Sequence, residues 1–410
     1  MAMKKKPFVG LGIGFVWLAV SALTGNAQSS NGFKFNNLTV SPFVNLEYSY
    51  DSNVYYGKDD SDDSILTINP GVDLSYKGND WGLDGKAWYG YEKHHDYDDI
   101  DQSRYGESLR FYAESPRGLR LVLGQSYIKT HQDDSILDGG RGVWRERDLH
   151  ELTGALSYQV SERTAVTLSG LFSDLSYQND VKQFGNLYGW REWSTGLELA
   201  RKLTAKSNLL LSGSYQEYES DGAKRFDSNG RRIDNNGRKI DSNSTGYTLM
   251  GGFGSRATER ISYRALTGAS WFDYAGGDQL TGWVYSLDAN WILNRKLVWS
   301  VAGSSYFQPS EREANQAMQV YSLTTGLSYR PVKRVTTRFD IGYLREENEY
   351  ATNNQGTVEV DKVSARVRVD YRLQKYVMLY GALMYEEQFS DEDVSEFDRI
   401  RGTVGINLRY

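Results

Sequence analysis

The sequence predicts an all-β protein: a transmembrane, antiparallel, up-and-down β-barrel of about eighteen strands, or sixteen, following a cleaved signal peptide. Three observations carry this. The amino terminus reads as an export signal. Apolar residues recur with a period of two, not 3.6. The connections alternate between short and long.

The export signal comes first. Lys4, Lys5 and Lys6 form a positive start, an apolar run from Phe8 to Leu23 follows, and Gly25-Asn26-Ala27 puts small residues at the −3 and −1 positions before Gln28. Residues 1–27 are thus expected to be removed. The run is short for a membrane anchor and ends in a cleavage-like site. No Cys follows that site, which excludes a lipid-anchored lipoprotein, and no later stretch is long and apolar enough for a transmembrane helix.

Composition narrows the class. The 410 residues include no Cys, which removes disulfides, thiolate catalysis and thiolate metal sites. A net charge of −6 without a basic stripe argues against nucleic acid as a partner. Mean hydropathy is −0.59, as in a soluble protein, yet aromatics make up 13% with 30 Tyr and 10 Trp. A membrane barrel reconciles the two. Only alternate residues meet lipid, and aromatics collect at the two interfaces.

The strands follow in order. From Val40 to Asp51, one face carries Val40, Pro42, Val44, Leu46, Tyr48 and Tyr50, and the other Ser41, Phe43, Asn45, Glu47, Ser49 and Asp51. Residues 66–77 repeat the pattern. Further strands are read at 81–92, 104–114, 119–129, 149–160, 164–174, 192–201, 207–218, 245–254, 260–272, 281–293, 297–307, 319–330, 334–345, 360–372, 376–386 and 399–410. Those at 164–174, 260–272 and 297–307 alternate poorly, hence the lower count of sixteen. Residues 28–37 are expected to be a short periplasmic lead, too short for a plug, and 38–410 the barrel.

The connections sort by parity. Short ones lie at 77–80, 115–118, 161–164, around 205–206, and at 256–259, 294–296, 331–333 and 373–375. Long polar ones include Asp51–Asp63, Lys93–Ser103 and Thr130–Asp148. Tight periplasmic turns and long outer loops have this arrangement, and an even strand number returns both termini to the periplasm. Strand direction then predicts two aromatic girdles. Tyr48, Tyr50, Tyr89, Tyr91, Tyr127, Tyr343 and Tyr385 fall at the outer rim, and Tyr76, Tyr158, Tyr329, Tyr371 and Tyr410 at the periplasmic rim. The last strand alternates through Val404, Ile406 and Leu408 to Tyr410, which resembles the carboxy-terminal signal read by the barrel-assembly machinery. Phe is the commoner last residue.

Around eighteen strands the lumen is too wide for side chains to fill, so a water-filled channel is expected. Its inward positions are charged: Glu47, Asp73, Asp84 and Glu92 early, and Arg338, Arg366, Arg368, Arg372, Arg401 and Arg409 late. Closure sets these walls side by side. They either hold a field across the lumen or pair with each other. Inward Trp88, Tyr112, Tyr306 and Tyr380 either stack on sugar rings or pack against the wall.

No motif calls for a cofactor, a metal or a catalytic group. His94, His95, His131 and His150 lie in or next to expected outer loops, where exposed histidines are expected, the alternative being that His94-His95-Asp96 binds a metal or acts with an acid. The stretch Asp59-Asp60-Ser61-Asp62-Asp63 either holds divalent cations near lipopolysaccharide or is a solvated tip. A seven-residue repeat over 225–244, with Asn-Gly turns at Asn229-Gly230 and Asn236-Gly237, is read as an expanded outer loop.

The opening strand, Ser41-Pro42-Phe43 through Tyr48-Ser49-Tyr50-Asp51-Ser52-Asn53-Val54-Tyr55, resembles that of the putative β-barrel porin 2 family, as do the tyrosine-rich hairpins and the length. Members are often associated with exopolysaccharide production. The resemblance implies an outer-membrane porin of a Gram-negative (diderm) bacterium that exports polysaccharide, with periplasmic export components as partners. The residues themselves reach only a non-enzymatic pore-forming barrel in outer-membrane lipid. A diffusion or uptake porin for small polar solutes, a closed scaffold and a barrel enzyme are the alternatives.

Overall fold

The computed structural model describes residues 32–56, 61–134, 143–177, 189–220, 225–226, 232–233, 243–273, 279–309, 317–349, 358–390 and 396–410. The signal peptide and most of the seven-residue repeat lie outside them. The first repeat unit pairs with the second, Arg225↔Ile233 and Phe226↔Arg232.

Eighteen antiparallel strands close into a barrel, with one extra strand beside the seam. In order they are β1 Leu38–Asp51, β2 Asp63–Lys77, β3 Trp81–His94, β4 Gln102–Glu114, β5 Leu119–Asp134, β6 Val143–Ser161, β7 Thr164–Tyr177, β8 Trp190–Lys202 and β9 Ser207–Ser220. They continue as β10 Asn243–Ser255, β11 Ile261–Asp273, β12 Gln279–Asn294, β13 Leu297–Pro309, β14 Ala317–Val332, β15 Val335–Glu349, β16 Val358–Gln374, β17 Val377–Ser390 and β18 Phe397–Arg409. Each pairs with the next, and β18 returns to β1 from Phe43↔Arg409 to Asp51↔Arg401. Closure is what lipid demands, because an open edge would leave backbone groups without partners.

Alternation sorts the side chains. Tyr48, Leu66, Leu109, Leu123, Leu197, Leu249, Leu383 and Val404 point outward and are exposed. Their chain neighbours point inward. Tyrosines expected in both girdles stand on the outward face: Tyr48, Tyr50, Tyr89, Tyr91, Tyr343 and Tyr385 toward the long-loop end, Tyr158, Tyr329, Tyr371 and Tyr410 toward the short-turn end.

The lead at 28–37 is partly strand: Phe33–Phe35 pairs with β1 in the register Phe33↔Val40. It covers the β1 edge that β18 leaves bare, and Phe33 meets Tyr410 at 4.6 Å between ring centroids. Tyr410 also stacks on Tyr376 at 5.1 Å, so the terminal aromatic is part of the seam. The loop expected at 130–148 is mostly strand, since β5 and β6 pair from Leu119↔Tyr158 up to Asp134↔Val143. Thr130–Asp134 and Arg145–Asp148 are polar at every position, so alternation does not mark them as strand. His150 lies within β6, inside the strand expected at 149–160, edge-on to Phe172 at 6.3 Å. His94 ends β3 and is fully buried rather than exposed. The three poorly alternating strands are all present as β7, β11 and β13.

Among the described residues the pairing shifts register beside four short turns, at Gln159/Ser161, Ile292/Asn294, Tyr329/Val332 and Arg372/Gln374, and it is cut short at the far end of β12–β13. β12 and β13 pair only up to Ser286↔Ser304, while β13 and β14 stay paired up to Pro309↔Ala317. Beyond Ser304 the β13–β14 hairpin leaves the wall and turns inward. Phe307 has the parity of lipid-facing Trp299, yet it is buried with Tyr218, Phe272, Leu280 and Val284, which point into the barrel. Its ring lies 6.4 Å from that of Phe272. Gln216, four strands back on β9, donates to the Phe307 carbonyl at 3.4 Å, and Gln319 donates to the Trp283 carbonyl of β12 at 3.2 Å. The hairpin end thus lines the inner surface of β9–β12 near the long-loop mouth.

Candidate functional site

The richest inward surface lies beside the seam, where β1–β4 meet β16–β18. A recess of about 350 Å³ is lined by Phe43, Asn45, Glu47, Asn69, Lys86, Trp88, Arg104, Arg368, Met378, Tyr380, Asn407 and Arg409. Successive odd or even positions of antiparallel neighbours share a face, which gathers these residues from distant parts of the chain.

Aromatic side chains seat on glycines of the neighbouring strand. A Cβ at Gly71 would lie 2.3 Å from the Phe43 ring, one at Gly106 2.7 Å from the Trp88 indole, one at Gly82 2.2 Å from Tyr112, and one at Gly405 2.3 Å from Tyr380. Only glycine admits rings lying this flat on the wall. Tyr380 is covered on its other side by Arg368, 4.2 Å from the ring centroid, and donates to Glu47 at 2.8 Å and Asn45 at 3.0 Å. It is only 6% exposed, so the expected sugar-stacking face of Tyr380 is occupied by the wall itself. Tyr112 packs likewise on Gly82, whereas Trp88 lines the recess. Tyr306 lies on the inturned end of β13, opposite buried Val320.

The charged inward residues pair across the seam. Arg409 of β18 binds Asp73 of β2. Arg399 grips Asp51 with Nε 2.8 Å from Oδ1 and 3.0 Å from Oδ2, under the ring of Tyr56 at 4.2 Å. Arg401 lies 4.0 Å from the same carboxylate. Of the two readings of the walls, mutual pairing is what this geometry has at the seam. Glu92 accepts from Gln102 at 2.6 Å and meets Arg104 at 2.5 Å. A second recess, about 140 Å³ and nearer the long loops, shares Arg104 with the first and is flanked by Glu92, Asp51, Arg399 and Arg401.

Toward the short turns the sign changes. Arg338 stands directly opposite Arg368, and Arg366 opposite Asp340. Arg368 is bound to Asp370 at 2.8 Å. Arg372 lies further toward the turns on the same face of β16. Asp84 accepts from Ser75 at 2.7 Å and faces Arg110. Lys86 and Arg409 flank Phe43, each 5.4 Å from its centroid.

Lys86, Arg104, Phe43 and Arg399 were not singled out in the sequence. Lys86 shares the parity of Asp84 and Trp88, so alternation alone is enough to find it. Arg399 sits at the first residue of its expected strand, where facing is hardest to assign.

At the long-loop end, Asp101 ties the loop after β3. The His94 amide donates to Oδ1 at 2.6 Å, and Lys93 lies 3.5 Å from Oδ2. Partial burial pushes the Asp101 carboxyl up, but the His94 amide, Lys93 and the Tyr91 hydroxyl outweigh it and hold the pKa below its ordinary value. A depressed carboxylate stabilises the fold above the unfolded pKa of about 3.9 and loses that contribution as pH falls through the folded value. The His94 amide is therefore expected to lose exchange protection below about pH 4. Asp101→Asn is expected to lower that protection at neutral pH and abolish its pH dependence. Unchanged exchange in the variant contradicts the assignment.

No curated protein sequence matches the chain. Among solved structures, the copper transporter OprC is similar at 10% identity and a TM-score of 0.48, over 93% of this chain and 82% of that one. The outer membrane protein opdK from Pseudomonas aeruginosa is similar at 10% identity and 0.46, over 90% and 99%. The outer membrane channel DcaP of Acinetobacter baumannii is similar at 12% identity and 0.44, over 92% and 99%. The family model of putative β-barrel porin 2 matches residues 29–410, nearly the whole length. An eighteen-strand closed wall, a polar interior and that match together place this chain in the putative β-barrel porin 2 family of outer-membrane barrels.

Proposed function

We propose that this porin is a non-enzymatic channel that passes secreted polysaccharide from the periplasm to the cell surface. The recess beside the seam is the observation that supports it. Flat aromatic surface from Trp88, amides from Asn45, Asn69 and Asn407, and charged groups of both signs meet on the inward wall. Sugar polymers carry hydroxyls that exchange hydrogen bonds with such groups and apolar ring faces that lie on aromatics. Weak, repeated contacts of this kind let a polymer enter and leave, where one tight site would hold it.

Deleting the gene is expected to strip polysaccharide from the surface and leave polymer in the periplasm, with recovery on complementation. An unchanged coat, together with slower uptake of small polar solutes, supports a diffusion porin instead.

A further inference from the structure

The charges of this barrel are sorted along its axis. Every short connection, taken with the strand residue at its shoulder, carries Lys or Arg. Arg256 and Arg260 precede β11, Arg295 and Lys296 precede β13, and Lys333 and Arg334 precede β15. Acidic residues there are few, such as Asp80, Glu162 and Glu259. The long-loop end has the opposite sign, with Asp59, Asp60, Asp62 and Asp63 before and at the start of β2 and Asp96, Asp98, Asp99 and Asp101 before β4.

The cationic surface continues into the barrel. Arg338 faces Arg368 across β15 and β16, and on this stretch of wall Arg338, Arg366, Arg368 and Arg372 outnumber the two carboxylates, Asp340 opposite Arg366 and Asp370 bound to Arg368 at 2.8 Å. Arg366 and Arg372 lie on the same inward face, and Lys86 and Arg409 flank Phe43 at the floor of the recess. Phospholipid phosphates on the periplasmic leaflet can neutralise outward-pointing turn residues. They cannot reach these inward arginines.

We infer that the barrel takes a polyanionic saccharide, one bearing carboxylate or similar groups, which enters at the basic short-turn mouth and is handed through Arg338, Arg366, Arg368 and Lys86 to the recess. The inference rests on the channel reading above and names its substrate class. Guanidinium groups bind carboxylates in a matched geometry, and two arginines facing each other are relieved by an anion between them. The acidic loops beyond the recess repel the same polymer and favour its release outward.

The test is current block in a planar bilayer holding the mature barrel in one orientation. The probes are oligogalacturonate and a maltooligosaccharide of equal length, added to either side. Oligogalacturonate is expected to half-block from the short-turn side at a concentration at least roughly tenfold below that of the neutral sugar, with the difference shrinking at high salt. From the long-loop side the preference is expected to be weaker. A K86Q/R338Q/R366Q barrel, checked for folded electrophoretic mobility, is expected to lose the preference. Equal block by the two sugars in the wild-type channel overturns the inference even if the variant fails to fold. So does equal preference from both sides. A wild-type barrel that carries no current overturns the channel reading itself.

Discussion

Arg399→Ala is expected to destabilise the barrel by about 3–5 kcal/mol, because it takes from the buried Asp51 carboxylate its bidentate partner and leaves Arg401 only at 4.0 Å. Asp51 has no exposed surface and Arg399 is 4% exposed. Their bidentate contact joins the first strand to the last, 348 residues apart in sequence. Lost partners elsewhere in the wall leave a weakened ladder, whereas loss here acts on the closure that completes it. The double variant D51N/R399M is expected to recover most of the loss, since no carboxylate is left at Asp51 and Glu386, the other partner of Arg399 at 3.3 Å, keeps Lys362 at 3.4 Å. Urea unfolding in detergent, followed by the electrophoretic shift between folded and unfolded forms, measures this. Equal stability of Arg399→Ala and wild type contradicts the seam assignment.

Phe307→Ala is expected to free the inturned end of the β13–β14 hairpin. Its ring fills a cluster made with Tyr218, Phe272, Leu280 and Val284, and a Phe-to-Ala change in a packed site costs about 3–5 kcal/mol. The long Gln216 contact at 3.4 Å and the Gln319 contact at 3.2 Å also tie the end to the wall and are worth only about 1 kcal/mol each. The end is then held weakly and swings from the mouth. Unitary conductance is expected to rise and become noisier in Phe307→Ala, and to rise without added noise when residues 306–319 are replaced by a short turn. Conductance identical to wild type in both variants shows that the hairpin end does not narrow the path.

This hairpin also marks where the sequence is hardest to read. Alternation in the first strand is legible because lipid selects one face and water the other: Tyr48 and Tyr50 are outward, Ser49 and Asp51 buried inward. In β13 the same rule assigns Phe307 to lipid. The strand leaves the wall after Ser304, so the chemical demand on each parity reverses within one strand. That reversal is why residues 297–307 alternate poorly. The error at 130–148 has a different source. Thr130-His131-Gln132-Asp133-Asp134 and Arg145-Glu146-Arg147-Asp148 are polar at every position, so a paired strand reads as a loop.

The site was legible in outline. Glu47, Asp73, Asp84, Glu92 and the late arginines all stand on the inward parity, since face follows from counting by two. Their partners were not legible. That Arg409 meets Asp73, and Arg399 meets Asp51, depends on the register with which β18 closes on β1. Nothing local encodes that register. The glycine seats of Trp88, Tyr112 and Tyr380 depend likewise on cross-strand register, so ring placement needed the folded barrel.

The account stands on a wall whose alternate residues face lipid and a wet interior. The chain has no Cys, so single cysteines report each face without background. Ser108→Cys and Ala382→Cys point inward, while their neighbours Leu109→Cys and Leu383→Cys point to lipid, the leucines being 45% and 57% exposed. In liposomes, a charged, membrane-impermeant thiol reagent is expected to label the first two rapidly and the second two hardly at all. Equal labelling of neighbours, or protection of all four, contradicts a water-filled barrel.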